Sequence, residues 1–252
     1  MSPRWFTRSV LSRRSAVGRP IFTCGRLAPG GLGPARRLQR PRTRLADAVK
    51  GLLQDSSPGF LVDHCQRSFE LALLIATAGD VDLGVDLDVE VLHAGVLLHD
   101  LGLTPRFHSP TLRFEVASAN AARDLVRAHG MDPARADKVW DVAALHATGG
   151  IADCKSPETA VAAAAIGTDV TGLGLDRFDP DDIARIMATR PGFARPFIDA
   201  VVTDLRDKPQ VASSTWMATI AADHIPGFHQ ARVEQLALAH PFETVKQQAQ
   251  AP

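Results

Sequence analysis

The 252-residue chain has few cysteines, no long apolar run and no net charge, and each absence removes a class of function. Cys24, Cys65 and Cys154 are unevenly spaced and outside any CxxC arrangement. Neither a disulfide framework nor a zinc ribbon is expected, and a reducing interior fits. No stretch approaches the roughly 18 apolar residues of a membrane span, so no membrane partner is expected. The apolar h-region of a secretory signal is missing as well. The 28 basic and 28 acidic residues cancel, which by itself gives no preference for nucleic acid or anionic lipid.

That cancellation hides an asymmetry. Residues 1–44 hold eleven arginines, no lysine and no acid, so the rest of the chain carries 17 bases against 28 acids. The leading segment also has five glycines and five prolines and no sustained apolar period, so it cannot bury enough surface to offset its ordering entropy. It reads as a disordered arm, 1–44, ahead of a folded unit, 45–252. Three origins compete for the arm: a transit peptide, a basic tail, or a true start further downstream. The last is preferred slightly, because arginine outnumbers lysine 23 to 5 along the whole chain, the bias of GC-rich coding DNA. A cytoplasmic location is expected, or an organelle matrix if the arm is a transit peptide. A net charge of −11 on the folded part opposes phosphate contacts, so no nucleic-acid partner is expected there.

From residue 45 onward, apolar positions recur every three or four residues and no stretch alternates as a half-buried strand would. The expected class is all-α. Asp132-Pro133, Ser156-Pro157 and Asp179-Pro180 each read as a side-chain cap followed by proline at the first helical position. Gly130 and Gly149-Gly150 read as helix stops. The pattern predicts helices over 45–55, 60–78, 88–101, 112–129, 133–147, 157–171, 180–189, 193–205, 211–222 and 228–240. The segment from Val89 to Asp100 is apolar around nearly its whole circumference, which predicts a central buried helix.

That helix ends in His99-Asp100. A buried carboxylate is costly unless it is paired, hydrogen-bonded or bound to a metal. Neighbouring helical residues point about 100° apart, so both can reach one ion only at the helix end. Further ligands must then come from other helices, and the sequence offers His64 and Asp169. Asp169 is the one acid in a stretch of small and apolar residues following Ala162-Ala163-Ala164-Ala165.

The ordered set of His64, His99-Asp100 and Asp169, with Val96-Leu97-Leu98 before the pair and Leu101-Gly102 after it, resembles the HD-domain superfamily of metal-dependent phosphohydrolases. The resemblance covers about residues 60–175. It implies a helical HD bundle with a helical C-terminal extension, and a metal held by His64, His99, Asp100 and Asp169. His64-Cys65-Gln66-Arg67-Ser68-Phe69, Arg113-Phe114-Glu115-Val116 and His146 are similar to segments of the cyanamide hydratase branch. The run from Ile186 to Phe193, Lys208-Pro209 and Trp216 look like that branch's C-terminal extension. Two positions depart from the patterns. Leu103 stands where many nucleotide-cleaving members have glutamate, and Ala147 follows His146 where the hydratase branch tends to have glutamine.

Two imidazoles and two carboxylates suit one divalent ion, zinc, iron, manganese or nickel, with zinc slightly favoured. No adjacent His-His pair is present to hold a second. The expected reaction is attack by metal-bound hydroxide on a small-molecule substrate, a hydrolase of the phosphohydrolase type. Hydration of a small nitrile by a cyanamide hydratase-like lyase is the alternative. A metal-stabilised helical sensor or interaction module is the non-enzymatic one. His146 and Glu115 are the candidates for proton transfer. Arg67, Arg106 and His108 are the candidates for substrate contact. His93 is expected to be a locally hydrogen-bonded core histidine. His224, His229 and His240 are expected at the surface.

Overall fold

The computed structural model describes residues 38–78 and 87–243. Most of the arginine arm and the Gln-rich tail lie outside the described residues. Residues 38–44, the described end of the arm, touch the helices. Leu38 lies against the core, Arg40 pairs with Glu70, and Thr43 Oγ1 accepts from Ala46 N as the cap of α1 (Arg44–Ser56).

Among the described residues the protein is all-α, without strands. After α1 come α2 (Gly59–Ala78), α3 (Val89–Leu98), α4 (Phe114–Ala128), α5 (Pro133–Leu145), α6 (Pro157–Thr171), α7 (Pro180–Ile186), α8 (Ala194–Arg206), α9 (Met217–His224) and α10 (Val233–Leu238). None of these is long and apolar enough to cross a membrane. The three Pro-marked starts are helix N-termini. Asp132 accepts from Arg135 N, Ser156 from Thr159 N, and Asp179 from Asp181 N and Asp182 N.

The ends differ where the sequence pattern was silent about packing. Helix α3 stops at Leu98 instead of continuing to 101, because the chain turns at His99 and Asp100 into a 3-10 turn, Leu101–Leu103. Helix α9 begins at Met217 instead of 211, after the 3-10 turn Pro209–Ala212 and Ser214 with φ 62°. Of the expected 228–240 only Val233–Leu238 is helical, and all six residues are exposed. So short a helix has little support without tertiary packing.

The expected central helix is central. Every residue from Val91 to Leu98 is buried, enclosed by α1, α2, α4, α5 and α6. Two glycines set its neighbours close. A Cβ on Gly95 would lie 2.3 Å from Val142 Cγ1, so α3 and α5 approach more tightly than any side chain permits. A Cβ on Gly102 would lie 2.2 Å from the Phe114 carbonyl oxygen, and Gly102 N–H donates to Ser118 Oγ at 2.8 Å. This contact seats the start of α4 against the turn that follows His99-Asp100. A second apolar cluster of Leu61, Phe114, Phe193, Phe197, Leu205 and Met217 packs α8 and α9 over that same end of the bundle.

His93 is buried as expected, but it is not hydrogen-bonded at Nδ1. Its ring meets Phe69 edge-on at 4.9 Å, and the α3 residues that follow it are apolar. Burial lowers its pKa to about 4. The unfolded chain therefore binds a proton at this position between about pH 6.5 and 4 and the native protein does not, so stability falls as pH falls through that window. The span corresponds to about 3 kcal/mol. His93→Leu is expected to lose less melting temperature than wild type on acidification from pH 7 to pH 4. Parallel melting curves against pH would remove His93 from the acid response.

Candidate metal centre

His64 lies in the second turn of α2, His99 caps α3, and Asp100 is the first residue of the turn beyond it. Leaving the helix there lets two successive side chains face one point, as the His99-Asp100 pair required. His64 Nε2 and His99 Nε2 are 3.2 Å apart, His99 Nε2 and Asp100 Oδ2 3.3 Å, and His64 Nε2 and Asp100 Oδ2 3.5 Å. All three residues are buried.

The ring protons can be assigned from their partners. His99 Nδ1 lies 2.7 Å from the Val96 carbonyl oxygen, and His64 Nδ1 lies 2.6 Å from Asp169 Oδ2. Both partners only accept, so each Nδ1 carries a proton and each Nε2 is the atom turned towards the cluster. Asp100 Oδ2 is buried and has no hydrogen-bond partner. Three atoms able to ligate thus converge on one buried point, where a cation would take the place of the proton that Asp100 otherwise holds on His99 Nε2. These residues fit a metal ion, and they form a group of ligand atoms all lying within 4.8 Å of one another.

The electrostatics follow from the same geometry. Burial opposes charge on His99, and the facing Asp100 carboxylate overrides it, raising the pKa well above its ordinary value. Burial alone would raise the Asp100 pKa, but His99, His64 and His146 together hold it well below the usual carboxylate range. Burial lowers His64, with Asp169 offsetting part of the effect.

His146, the cap residue of α5, is brought to the cluster: its ring meets that of His99 at 4.6 Å. Its Nδ1 donates to the Ala143 carbonyl oxygen at 2.8 Å, and burial followed by the His99 charge lowers its pKa to about 4. A neutral imidazole with Nε2 unprotonated is the result. The Ala143 carbonyl, not Glu115, fixes this tautomer. Glu115 is fully buried, and its carboxylate accepts from Arg113 Nη2 at 2.5 Å and from Trp216 Nε1 at 3.3 Å.

The other candidates are placed elsewhere. Asp169 is outside the three-atom group and behind His64, accepting from Arg67 Nε at 2.8 Å and Nη2 at 2.9 Å. Arg67 is buried, and its Nη1 donates to the carbonyl and hydroxyl oxygens of Thr189, both at 3.2 Å. Its donors are therefore taken up by the protein and it is not free for substrate. Arg106 is exposed and lines an open groove with Leu52, Phe107 and Asp124. His108 Nδ1 meets Asp204 Oδ1 at 3.1 Å, a link from the loop after α3 to α8 and not to the cluster. His224, His229 and His240 are exposed, as expected.

Several residues that shape the centre lie in the C-terminal segment, which the sequence singled out only by resemblance. Phe193 stacks on the His64 ring at 4.8 Å, Phe197 stacks on Phe193 at 5.1 Å, and Trp216 stacks on Phe197 at 6.3 Å. This aromatic series caps the His64 side of the cluster from the C-terminal helices. Lys208 is fully buried and donates to the carbonyls of Ser109 and Leu112, closing the loop that leads into α4. Compared with protein-family models and with curated proteins, the chain matches none.

Proposed function

We propose that this chain is a metal-dependent hydrolase or hydratase of the HD type acting on a small molecule. The convergence of His64 Nε2, His99 Nε2 and Asp100 Oδ2, three buried atoms able to ligate one ion, carries the reading. In a tetrahedral shell with bonds of 2.0–2.1 Å, ligand atoms stand roughly 3.3 Å apart, against about 2.9 Å in an octahedral one. The observed spacings of 3.2, 3.3 and 3.5 Å put all three atoms within reach of one ion, zinc among them. A bound divalent ion would supply Lewis-acid activation of water near neutral pH.

The protein's own groups do the rest. His146 Nε2, neutral and next to His99, is the atom that would take or hold a proton during turnover. Phe193, Phe197 and Trp216 exclude bulk water on the His64 side. The cations around the site are engaged internally: Arg67 with Asp169 and Thr189, Arg113 with Glu115, and Lys208 with two carbonyls and Asp204. A phosphoester would find no free counter-charge from these three residues. That favours the hydratase alternative, in which water adds to a small uncharged carbon electrophile such as a nitrile, over phosphoester hydrolysis.

The test is metal analysis of the purified chain, followed by turnover assays with cyanamide, phosphomonoesters and nucleotides. Absence of stoichiometric metal would overturn the reading. Retained metal with no turnover of any substrate would support a sensor or interaction module. His146→Ala is expected to keep the metal and to lower kcat by about 10²–10⁴-fold. Unchanged kcat would remove His146 from the proton path.

A further inference from the structure

We propose that the exposed C-terminal segment, residues 229–243, seats in the groove between α1 and α4 of a second copy of the chain, so that the protein is a dimer joined by two such exchanges. The inference is independent of the metal-centre reading, since neither surface contains a residue of that cluster.

Seven large apolar side chains are exposed among the described residues, and four of them, Val233, Leu236, Leu238 and Phe242, fall within ten residues. Single exposed apolar residues need no explanation, but an apolar stretch of this density marks an interaction surface. Phe228 still packs on the second apolar cluster, and every residue from 229 to 243 is exposed. Within that run α10 is a helix of six residues, too short to hold in water without packing. Val233 and Leu236, three apart, share one face of α10 and are its anchors.

The groove is the matching concavity. Ala117, Ala121 and Leu125 line it at four-residue steps along α4, with Leu52 from α1 and Phe107 and Leu112 from the loop before α4. Leu112 is itself one of the seven exposed apolar side chains, so both surfaces lack cover. The two alanines let a helix come close to α4, as an amphipathic helix does in an apolar groove. About 460 Å³ of open volume leaves room for several side chains. Arg106 and Asp124 also line the groove, and Arg232 and Glu234 flank and begin α10, so each surface offers the other a partner for either sign of charge.

Size selects a second copy as the occupant. The 15 residues of the segment and the ten that line the groove give each copy about 25 interface residues, inside the 20–30 a side of a standard stable interface. A two-fold exchange covers both surfaces on both copies and closes the assembly, whereas a one-way contact leaves one segment and one groove open.

The test is sedimentation velocity of the full chain over a dilution series. The variants are Val233→Glu with Leu236→Glu in the segment and Ala121→Glu in the groove, with far-UV circular dichroism as the check on folding. Wild type is expected to be a dimer, and each variant to raise the dissociation constant by at least about 30-fold, the effect of losing one hot spot. Mixing the two variants is expected to recover more dimer than either forms alone, because one intact segment then meets one intact groove. A wild type that is monomeric throughout the series, a segment or groove variant that dimerises as wild type does, or a mixture with no more dimer than its components would overturn the inference. Should a variant fail to fold, hydrogen exchange of wild type at the two ends of the series decides. Protection gained on association by both 117–125 and 233–242 supports the exchange, and protection confined to one of them, or placed elsewhere, overturns it.

Discussion

Asp100→Ala is expected to yield a folded protein that retains no stoichiometric metal and whose turnover falls to background. Asp100 supplies the only carboxylate oxygen among the three converging atoms, and that oxygen has no hydrogen-bond partner to lose. Removing it leaves two neutral imidazole nitrogens, too weak a pair to retain a divalent ion against solvent. The loss is readable without a substrate. A ligand at 100 times its Kd stabilises a fold by about 2.7 kcal/mol. For a chain of this size each kcal/mol moves Tm by about 2–4 °C, so zinc should raise the wild-type Tm by about 5–10 °C. The same zinc should leave Asp100→Ala unmoved. If Asp100→Ala bound zinc stoichiometrically or showed the wild-type thermal shift, the site would be elsewhere.

The fold class and the centre of this site were legible for one reason: they depend on patterns local to the chain. Helical periodicity, capping residues before proline, and an apolar helix ending in His99-Asp100 are all short-range signals, and α3 is buried around its whole circumference as its apolar residues required. His64 was reachable because its order and surroundings resemble a known arrangement. The residues that failed to read true are those whose role depends on what lies opposite them in space. Arg67 looked available for substrate and is saturated by Asp169 and Thr189. His108 looked like part of a site mouth and meets Asp204, 96 residues away in sequence. His93 was expected to find a local acceptor, and its Nδ1 has none. No periodicity announces such pairings, because they are made by the way α8 and α9 close over the end of the bundle.

Lys208 is the extreme case, and it carries the largest expected effect on stability. Lysine is almost never fully buried, and nothing local in the sequence announces that this one is. Its Nζ instead donates to the Ser109 carbonyl at 2.8 Å and the Leu112 carbonyl at 2.6 Å, and pairs with Asp204 Oδ1 at 2.8 Å. Three ammonium hydrogens meet three acceptors, which is the full capacity of the group. Lys208→Met keeps the length of the side chain and removes the charge. It leaves the Asp204 carboxylate, whose Oδ2 already has no partner, with His108 alone, and leaves two carbonyls without their donor. Breaking a buried pair on one side costs about 3–5 kcal/mol. At 2–4 °C per kcal/mol, Tm should fall by roughly 10 °C. Metal content should stay stoichiometric, since no ligand is touched, and this separates the variant from Asp100→Ala.

The pH dependence gives the prediction its sign. Burial raises the Asp204 pKa above its ordinary value even with Lys208 and His108 beside it. A carboxyl whose folded pKa is raised favours the native state at low pH, and loses that contribution as pH rises through the folded value. Without Lys208 the pKa rises further, so protonation at acid pH should relieve most of the penalty. The Tm gap between wild type and Lys208→Met should therefore narrow on acidification, and Asp204→Asn introduced into Lys208→Met should recover part of it at neutral pH. A Lys208→Met protein that melts with wild type at pH 7 would show that the buried ammonium is dispensable and that the loop from Ser109 to Leu112 is held by other contacts.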